Sequence, residues 1–302
     1  MSRVLVTGAT GFVGRHLVPH LVARGHAVVE AGRRARPGAV SFVPVGEIGR
    51  ATDWTAALDG IDAVVHLAGA AHRTGPGRDD IHAETNDRGT ARLAEAAMAA
   101  KARRLVFVSS IYAGLTEKAP SAYGRSKLAA EAHVARFADH PGRSGIALRP
   151  PLVYGADAPA NWRSLQRLAA SGMPLPFGSI ASRRSLISVG NLCDGIAAAI
   201  DPATDAASGT YEISDAGTVT MPEIVGWLRE GMGLPRRILP MPPALLRLVA
   251  RATGKGETIE TLLAELTVDP SRFMREFSWA PPETSRQAIV DSGREFLAAR
   301  RG

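Results

Sequence analysis

The feature that most constrains the fold is a set of three closely spaced glycines directly after an apolar segment near the start of the chain. Residues 4–6 predict a short buried strand, and residues 12–24 have helical periodicity. In such a strand–turn–helix unit, Gly8 allows the tight turn, Gly11 lets the backbone approach a pyrophosphate, and Gly14 lets the helix pack on the sheet. The helix N-terminus would then bind the anion. The residues predicted to surround a dinucleotide here are Gly8, Thr10, Gly11, Phe12, Val13 and Gly14.

Strand-like and helical segments alternate through the first half of the chain. The strand-like segments are apolar without polar alternation, which is typical of parallel strands covered on both faces. The sequence therefore predicts an α/β fold with a Rossmann-type, doubly wound parallel sheet. Further strands are predicted at 27–31, 42–45, 63–67, 105–108 and 146–148, and further helices at 90–100 and 121–138.

The composition changes after Tyr154, where segments rich in proline and glycine begin. We therefore predict a dinucleotide-binding domain at residues 1–155, to which segments around 185–215 return. Residues 156–184 and 216–302 are predicted to form a smaller, mostly helical substrate lobe, with its cleft against the ends of the parallel strands.

Charge and cysteine content restrict the class of protein. The chain has 302 residues, a net charge of +7 and 5% aromatic residues, without a basic stripe that carries interleaved aromatics, so nucleic acid is not the expected partner. The single cysteine, Cys193, excludes an intrachain disulfide and fits a reducing compartment. No apolar run reaches the ~20 residues of a membrane helix, and a strand that starts at Arg3 leaves no room for a signal peptide. We expect a cytoplasmic protein without a bound metal.

A tyrosine and a lysine four residues apart predict the catalytic chemistry. Tyr123 and Lys127 would leave the same face of the helix at 121–138. A phenol with a pKa of ~10 is a poor proton donor–acceptor until a positive charge stabilises its anion, and Lys127 would supply that charge while also holding the nicotinamide ribose. Ser109 and Ser110 end the fifth strand, where a hydroxyl could fix a substrate oxygen, but strand parity does not choose between them. The pattern indicates an NAD(P)-dependent enzyme that acts on a C–OH or C=O group.

The end of the second strand is expected to select the dinucleotide. A carboxylate there would bond the ribose 2′-hydroxyl of NAD, but the position falls at Gly32, and Arg33 and Arg34 follow. Glu30 lies two residues too early and should point to the opposite face. Two guanidiniums without an acid suit a 2′-phosphate, so we predict NADP, with NAD as the alternative.

Over nearly its whole length the chain resembles the extended short-chain dehydrogenase/reductases of the NAD-dependent epimerase/dehydratase family. More narrowly, it looks like the nucleotide-sugar branch that contains 4-keto reductases and UDP-sugar 4-epimerases. The motifs that carry the resemblance are Thr7–Gly14, His66–Gly69, Asn86, Ser109–Ser110, Tyr123–Lys127 and Arg149–Gly155, followed by Asp53–Trp54, Ala160–Asn161, Leu175–Pro176, Arg183–Leu186 and Asn191–Leu192.

The resemblance implies roles for individual residues. Ser110 would be the catalytic hydroxyl. Around the dinucleotide it implies contacts from Glu47, Ile48, Leu67, Ala68, Gly69 and Pro150. On the substrate side, Asn161 and Arg184 would meet the nucleotide or its phosphates, and a guanidinium also suits a diphosphate on physical grounds.

Two departures from the family pattern concern the substrate. Only 13 positions separate Ser110 from Tyr123, so the loop from Gly114 to Ala122 is shortened, and Leu152 stands where many epimerases have an asparagine. The leading hypothesis is reduction of a 4-keto nucleotide sugar by NADPH. The alternatives are a UDP-sugar 4-epimerase with tightly bound NAD, a reductase of a non-sugar ketone, and a catalytically silent dinucleotide-binding scaffold or sensor. We also expect a homodimer.

Overall fold

A computed structural model describes residues 1–70, 78–115, 121–201, 208–252 and 256–300. Within it the chain divides into two compact units. The first unit comprises Met1–Pro150, Leu192–Ile213 and Asp269–Ala280. The second comprises Pro151–Asn191, Ser214–Val268 and Pro281–Gly302.

The first unit is built on a seven-stranded sheet in which every neighbouring pair of strands is parallel. Its strands are β1 (Arg3–Thr7), β2 (Ala27–Gly32), β3 (Phe42–Pro44), β4 (Ala63–His66), β5 (Arg104–Val108), β6 (Ser144–Arg149) and β10 (Gly209–Glu212). Their order across the sheet is β10-β6-β5-β4-β1-β2-β3. This sheet confirms the predicted Rossmann-type fold class.

Helices connect the strands of the first unit. They are α1 (Phe12–Ala23), α2 (Arg78–His82), a π-helical turn (Ala83–Arg88), α3 (Gly89–Ala99), α4 (Ile111–Gly114), α5 (Ala122–Ala138) and α11 (Ser271–Glu276). The division between the units falls within α7 (Val189–Ile200). Among the described residues, no helix has the length and apolarity to cross a bilayer.

A buried apolar cluster joins the sheet to the helices. Leu5, Val64 and Leu105 lie on three adjacent strands, and each is fully shielded from solvent. Phe137 on α5 and Leu93 on α3 pack in the same cluster. Burial of side chains of this size stabilises the fold by about 1.5–3 kcal/mol each, so this cluster stabilises the packing of α3 and α5 on the central strands.

The second unit is mostly helical. Its helices are α6 (Ala160–Ala170), α8 (Met221–Gly231), α9 (Pro243–Ala252), α10 (Gly256–Leu263) and α12 (Ser285–Ala298). Two short strand pairs accompany them: β7 (Leu152–Tyr154) with β9 (Leu186–Ser188), and β8 (Arg183–Arg184) with β11 (Val219–Thr220).

A buried carboxylate organises the centre of the second unit. Asp215 Oδ2 accepts a hydrogen bond from the Tyr154 hydroxyl at 2.7 Å, and its Oδ1 accepts from Asn191 Nδ2 at 2.7 Å and from the Ser188 amide at 3.0 Å. Burial raises the pKa of Asp215, and burial together with the nearby Asp215 charge raises the pKa of Tyr154. These bonds fix β7, β9 and the start of α7 to one another.

Candidate active site

The turn between β1 and α1 fits closely against the loop that follows β4. Gly8 has a φ of +73°, a left-handed conformation that disfavours side chains, and a Cβ there would lie 2.7 Å from the Ala68 amide nitrogen. A Cβ on Gly14 would lie 2.4 Å from the Gly8 carbonyl oxygen and 2.6 Å from Ala9 Cα. Only glycine at both positions permits this close approach of three backbone segments.

The backbone amides at the N-terminus of α1 are not capped by a side chain. Its N-cap is Gly11, which has no side chain to cap the helix, and the first turn carries no acidic residue. Thr10 and Gly11 are exposed, and Phe12 and Val13 are half-buried. Uncapped amides at the positive end of a helix favour an anion, so this turn fits the pyrophosphate of a dinucleotide.

The segment after β2 carries the residues predicted to select the dinucleotide. Arg33 and Arg34 are exposed, and Arg33 Nη1 lies 2.8 Å from Glu47 Oε1. Glu30 is 2% exposed and pairs with Arg36 Nη2 at 3.0 Å. Glu47, which the resemblance places around the dinucleotide, therefore contacts one of the two predicted phosphate-binding arginines.

The loop after β4 reaches from the glycine turn towards Lys127. The Ala68 amide donates to Thr7 Oγ1 at 3.3 Å, and the Leu67 amide donates to the Thr7 carbonyl. A Cβ on Gly69 would lie 3.4 Å from Lys127 Nζ and 3.0 Å from Asn86 Oδ1. Leu67, Ala68 and Gly69 thus connect the predicted pyrophosphate position to the predicted catalytic residues.

Asn86 lies on the π-helical turn and ties this loop to α5. Its Oδ1 accepts from the Ala70 amide at 2.8 Å, and its Nδ2 donates to Ser126 Oγ at 3.0 Å. Ile48 packs beside the same turn, since a Cβ on Gly89 would lie 2.8 Å from Ile48 Cγ2. The wider turn of a π-helix is frequent at functional sites.

Lys127 is buried at the centre of the candidate site. Its Nζ donates to the Val108 carbonyl at 2.8 Å and lies 4.5 Å from the centre of the Phe107 ring. The distance from Nζ to the centre of the Tyr123 ring is 6.0 Å. Burial lowers the pKa of Lys127 to about 8, while the charge of Glu131 opposes that shift.

The hydroxyls of Ser109 and Ser110 point to different partners. Ser110 is the N-cap of α4 and accepts from the Tyr112 amide at 3.3 Å, and its hydroxyl also lies near the Tyr123 phenol. Ser109 Oγ donates instead to Glu131 Oε1 at 2.6 Å. Burial raises the pKa of Tyr123, and the Ser110 hydroxyl partly offsets that rise. The structure therefore brings the Ser110 hydroxyl, the Tyr123 ring and Lys127 Nζ near one another.

The other predicted site residues, from Pro150 onward in the sequence, make separate contacts. Pro150 is buried, and its carbonyl accepts from the Ile111 amide at 3.1 Å in the first unit. Leu152 is 40% exposed on β7, and Asn161 is exposed in the first turn of α6. Arg184 Nη2 donates to the carbonyls of Leu262 and Ala264 at 2.8 and 3.3 Å; these last three predicted residues belong to the second unit. The loop predicted to be shortened, from Gly114 to Ala122, lies partly outside the described residues.

Two histidines, His66 and His82, lie near the candidate site. His66 is fully buried between Thr7 Oγ1 at 2.7 Å and Thr90 Oγ1 at 3.1 Å, and burial lowers its pKa to about 3. His82, which was not predicted as a site residue, contacts the Tyr123 ring edge-on with 5.8 Å between ring centres. No cluster of three or more His, Cys, Asp or Glu side chains suited to a metal occurs in the described part of the chain.

Residues 4–214 match the NAD dependent epimerase/dehydratase family, and the chain belongs to that family. The relatives of this chain in the family include epimerases, dehydrogenases and reductases. The protein is therefore an NAD(P)-dependent enzyme. It is 33% identical over 316 residues to the UDP-glucose 4-epimerase of Vibrio cholerae, covering 98% of this chain and 96% of that protein.

Solved structures share the fold along the whole chain. The UDP-N-acetylglucosamine 4-epimerase from Bacillus cereus has a TM-score of 0.77 and 21% identity, with 100% of both chains covered. A protein named MoeE5, solved in complex with UDP-glucose and NAD, has a TM-score of 0.74 and 25% identity, with 99% of each chain covered.

Proposed function

We propose that this protein uses NADPH to reduce the 4-keto group of a nucleotide-diphosphate sugar. The observation that carries the proposal is the proximity of Ser110 to Tyr123 beside a buried Lys127, in the same unit as an uncapped helix N-terminus that fits a pyrophosphate. Bound NADPH would supply a hydride to the carbonyl carbon. The remaining work, which is to orient the ketone and deliver a proton, falls to the side chains.

Tyr123 is the proposed proton donor to the carbonyl oxygen. The Ser110 hydroxyl, which has a single proton to donate, would donate a hydrogen bond to that oxygen or to the phenolate that Tyr123 becomes. Lys127, with a pKa of about 8, stays mostly protonated at neutral pH and stabilises the phenolate by its charge. Proton delivery therefore depends on Lys127 keeping its proton.

NADPH is favoured over NADH by the residues after β2. Both Arg33 and Arg34 are exposed at the position where a ribose-binding carboxylate would favour NAD. The ion pair of Arg33 with Glu47 is also exposed, and such pairs contribute only ~0–1 kcal/mol. A 2′-phosphate, which forms stronger charge-assisted bonds, can compete for the Arg33 guanidinium.

The second unit is proposed to bind the substrate. We place Asn161 and Arg184 at the nucleotide or its phosphates and Leu152 near the sugar, on the support of the family resemblance and of the UDP-glucose named for MoeE5. The cytoplasmic location and the homodimer stay predictions.

A UDP-sugar 4-epimerase with tightly bound NAD is the second candidate. The 33% identity to a UDP-glucose 4-epimerase over nearly the whole chain favours it. An epimerase would use the same Ser110, Tyr123 and Lys127, but it must keep its cofactor while the keto intermediate rotates. Retention of the cofactor therefore separates the two candidates.

The test starts with the purified protein, which is denatured and assayed for released dinucleotide. We expect little NAD, together with NADPH oxidation when a UDP- or dTDP-4-keto sugar is added. Stoichiometric NAD with interconversion of UDP-glucose and UDP-galactose would identify the epimerase instead. Binding of the dinucleotide without turnover of either substrate would support a catalytically silent dinucleotide-binding scaffold or sensor.

The Tyr123→Phe variant tests the catalytic assignment in either enzyme. It keeps the ring but removes the transferable proton, so kcat should fall about a hundredfold or more while the NADPH dissociation constant stays within about twofold. Tyr112→Phe is the matched control, because this neighbouring phenol is 39% exposed and has no assigned catalytic role. Equal activity of Tyr123→Phe and wild type would disprove the assignment.

A further inference from the structure

Helix α5 contacts three consecutive residues at the end of β5 with three side chains of one face. Tyr123 lies near the Ser110 hydroxyl, Lys127 Nζ donates to the Val108 carbonyl, and Glu131 accepts from the Ser109 hydroxyl. The three helical residues are spaced four apart, so they lie above one another on the helix. Only the first two have a role in the proposed reaction, which leaves the third contact unexplained.

Glu131 is a buried carboxylate held by two partners. It is 6% exposed, and both of its oxygens are bonded by Arg149, from Nε at 2.8 Å and from Nη2 at 2.5 Å. Arg149 ends β6, the strand next to β5. A buried charge pair gives little net stability compared with apolar side chains of similar size. Its geometry, with one oxygen also on Ser109, is better explained by a positioning role.

We propose that Glu131, clamped by Arg149, is a positioning residue that fixes Ser110 through Ser109 and keeps Lys127 protonated through its charge. This inference rests on the proposed function only for its kinetic consequence. The bond to Ser109 fixes the backbone that carries the Ser110 hydroxyl to Tyr123. The carboxylate lies one helical turn beyond Lys127 and is the acid that opposes the effect of burial on that lysine.

The groups that surround Lys127 leave Glu131 as its main counter-charge. From α5 it faces Tyr123 and Glu131, and from β5 it faces the Phe107 ring and the Val108 carbonyl. From β4 it faces His66, which is neutral because its pKa is about 3. Asn86 on the π-helical turn contributes a neutral amide near Gly69. Loss of the Glu131 charge should therefore lower the pKa of Lys127.

The pKa of Lys127 can be measured directly, because the chain has only four lysines. Lysine labelled with ¹³C at Cε gives few NMR signals, and a Lys127→Met sample assigns the relevant one. In Glu131→Gln, which keeps the size but not the charge, the pKa of Lys127 should fall by about one pH unit or more. Glu95→Gln, a change of an exposed glutamate on α3, is the matched control and should leave it unchanged.

Kinetics test the positioning part. Glu131→Gln should lower kcat about ten- to a hundredfold with KM within about twofold, and should move the alkaline limb of the kcat profile to lower pH. Ser109→Ala should lower kcat without moving that limb, because it breaks the contact to the strand and keeps the charge. A purely structural Glu131 would change stability in both variants without changing the limb.

Two safeguards keep the outcome clear. If Glu131→Gln does not fold, Glu131→Gln with Arg149→Met removes the unpaired guanidinium and is measured instead. The NMR titration needs no substrate, so it stands even if the enzyme proves not to reduce 4-keto sugars. An unchanged pKa of Lys127 in Glu131→Gln, or in its Arg149→Met double variant, or an unchanged kcat in Ser109→Ala, would overturn the proposal.

Discussion

Removal of the two arginines after β2 should change the coenzyme preference. The perturbation is Arg33→Ala combined with Arg34→Ala, which leaves the glycine turn and the Tyr123 cluster unaltered. NADPH and NADH differ only in the 2′-phosphate, and both share the pyrophosphate that the N-terminus of α1 would bind. We therefore expect a weaker affinity for NADPH and almost no change in the affinity for NADH.

The magnitude follows from the contacts that each arginine makes. A charge-assisted hydrogen bond to a phosphate contributes ~1.5–3 kcal/mol. Arg33 must first leave Glu47, an exposed partner at 2.8 Å, which costs at most ~1 kcal/mol. The two arginines together should thus contribute ~3 kcal/mol, or roughly a hundredfold in the NADPH dissociation constant. Glu47→Gln should have the opposite sign and tighten NADPH up to about fivefold, because it releases Arg33.

The assay is a fluorescence titration of each variant with NADPH and with NADH at one fixed salt concentration. Salt must be held constant because exposed charges are screened at ~8–10 Å at physiological ionic strength. An equal loss of affinity for both dinucleotides in the double variant would refute the assignment of these arginines to the 2′-phosphate. A Glu47→Gln variant that binds NADPH more weakly would show that a direct contact of Glu47 with the dinucleotide outweighs its competition for Arg33.

Two further substitutions test the glycine turn and the second unit. Gly14→Ala places a Cβ 2.4 Å from the Gly8 carbonyl, so the stability should fall by ~1–3 kcal/mol in a denaturant titration and dinucleotide binding should weaken. Gly256→Ala on α10 is the control, since its nearest atom would be 3.8 Å away, and a stability loss equal to that of Gly14→Ala would contradict the steric argument. Arg184→Met should weaken UDP binding about tenfold or more and leave NADPH affinity unchanged. Because Arg184 also holds two carbonyls, a melting curve must accompany the UDP titration, and lost stability with unchanged UDP binding would restrict Arg184 to a structural role.

The sheet could be predicted largely from the sequence because parallel strands covered on both faces appear as short apolar runs. The predicted strand at 105–108 and the predicted helix at 121–138 each match the structure to within a residue. The edge strand β10 was not predicted individually. β10 pairs only with β6 in the described sheet, and Tyr211 is its one buried side chain. Its sequence therefore lacks the apolar run from which the other strands were predicted.

Candidate-site residues could be predicted from the sequence where their spacing along one segment carries the information. Tyr123 and Lys127 followed from their spacing, and the glycines followed from the strand before them and the helix after them. Strand parity left Ser109 and Ser110 open and the resemblance favoured Ser110. The structure adds that Glu131 holds the Ser109 hydroxyl whereas the Ser110 hydroxyl lies near Tyr123. The spacing of Glu131, four residues after Lys127, was present in the sequence, but its partner Arg149 comes from another strand.

His66 makes the electrostatics of the site simpler than its composition indicates. A histidine ordinarily acts as a switch near neutral pH. This imidazole is enclosed between two threonine hydroxyls, and its pKa of about 3 keeps it uncharged wherever the protein is folded under mild conditions. His66 therefore packs near Lys127 without adding a charge. The unfolded chain takes up this proton near pH 6.5, so His66 makes the fold less stable as the pH falls from about 6.5 towards 3, while His66 itself stays uncharged in the folded protein.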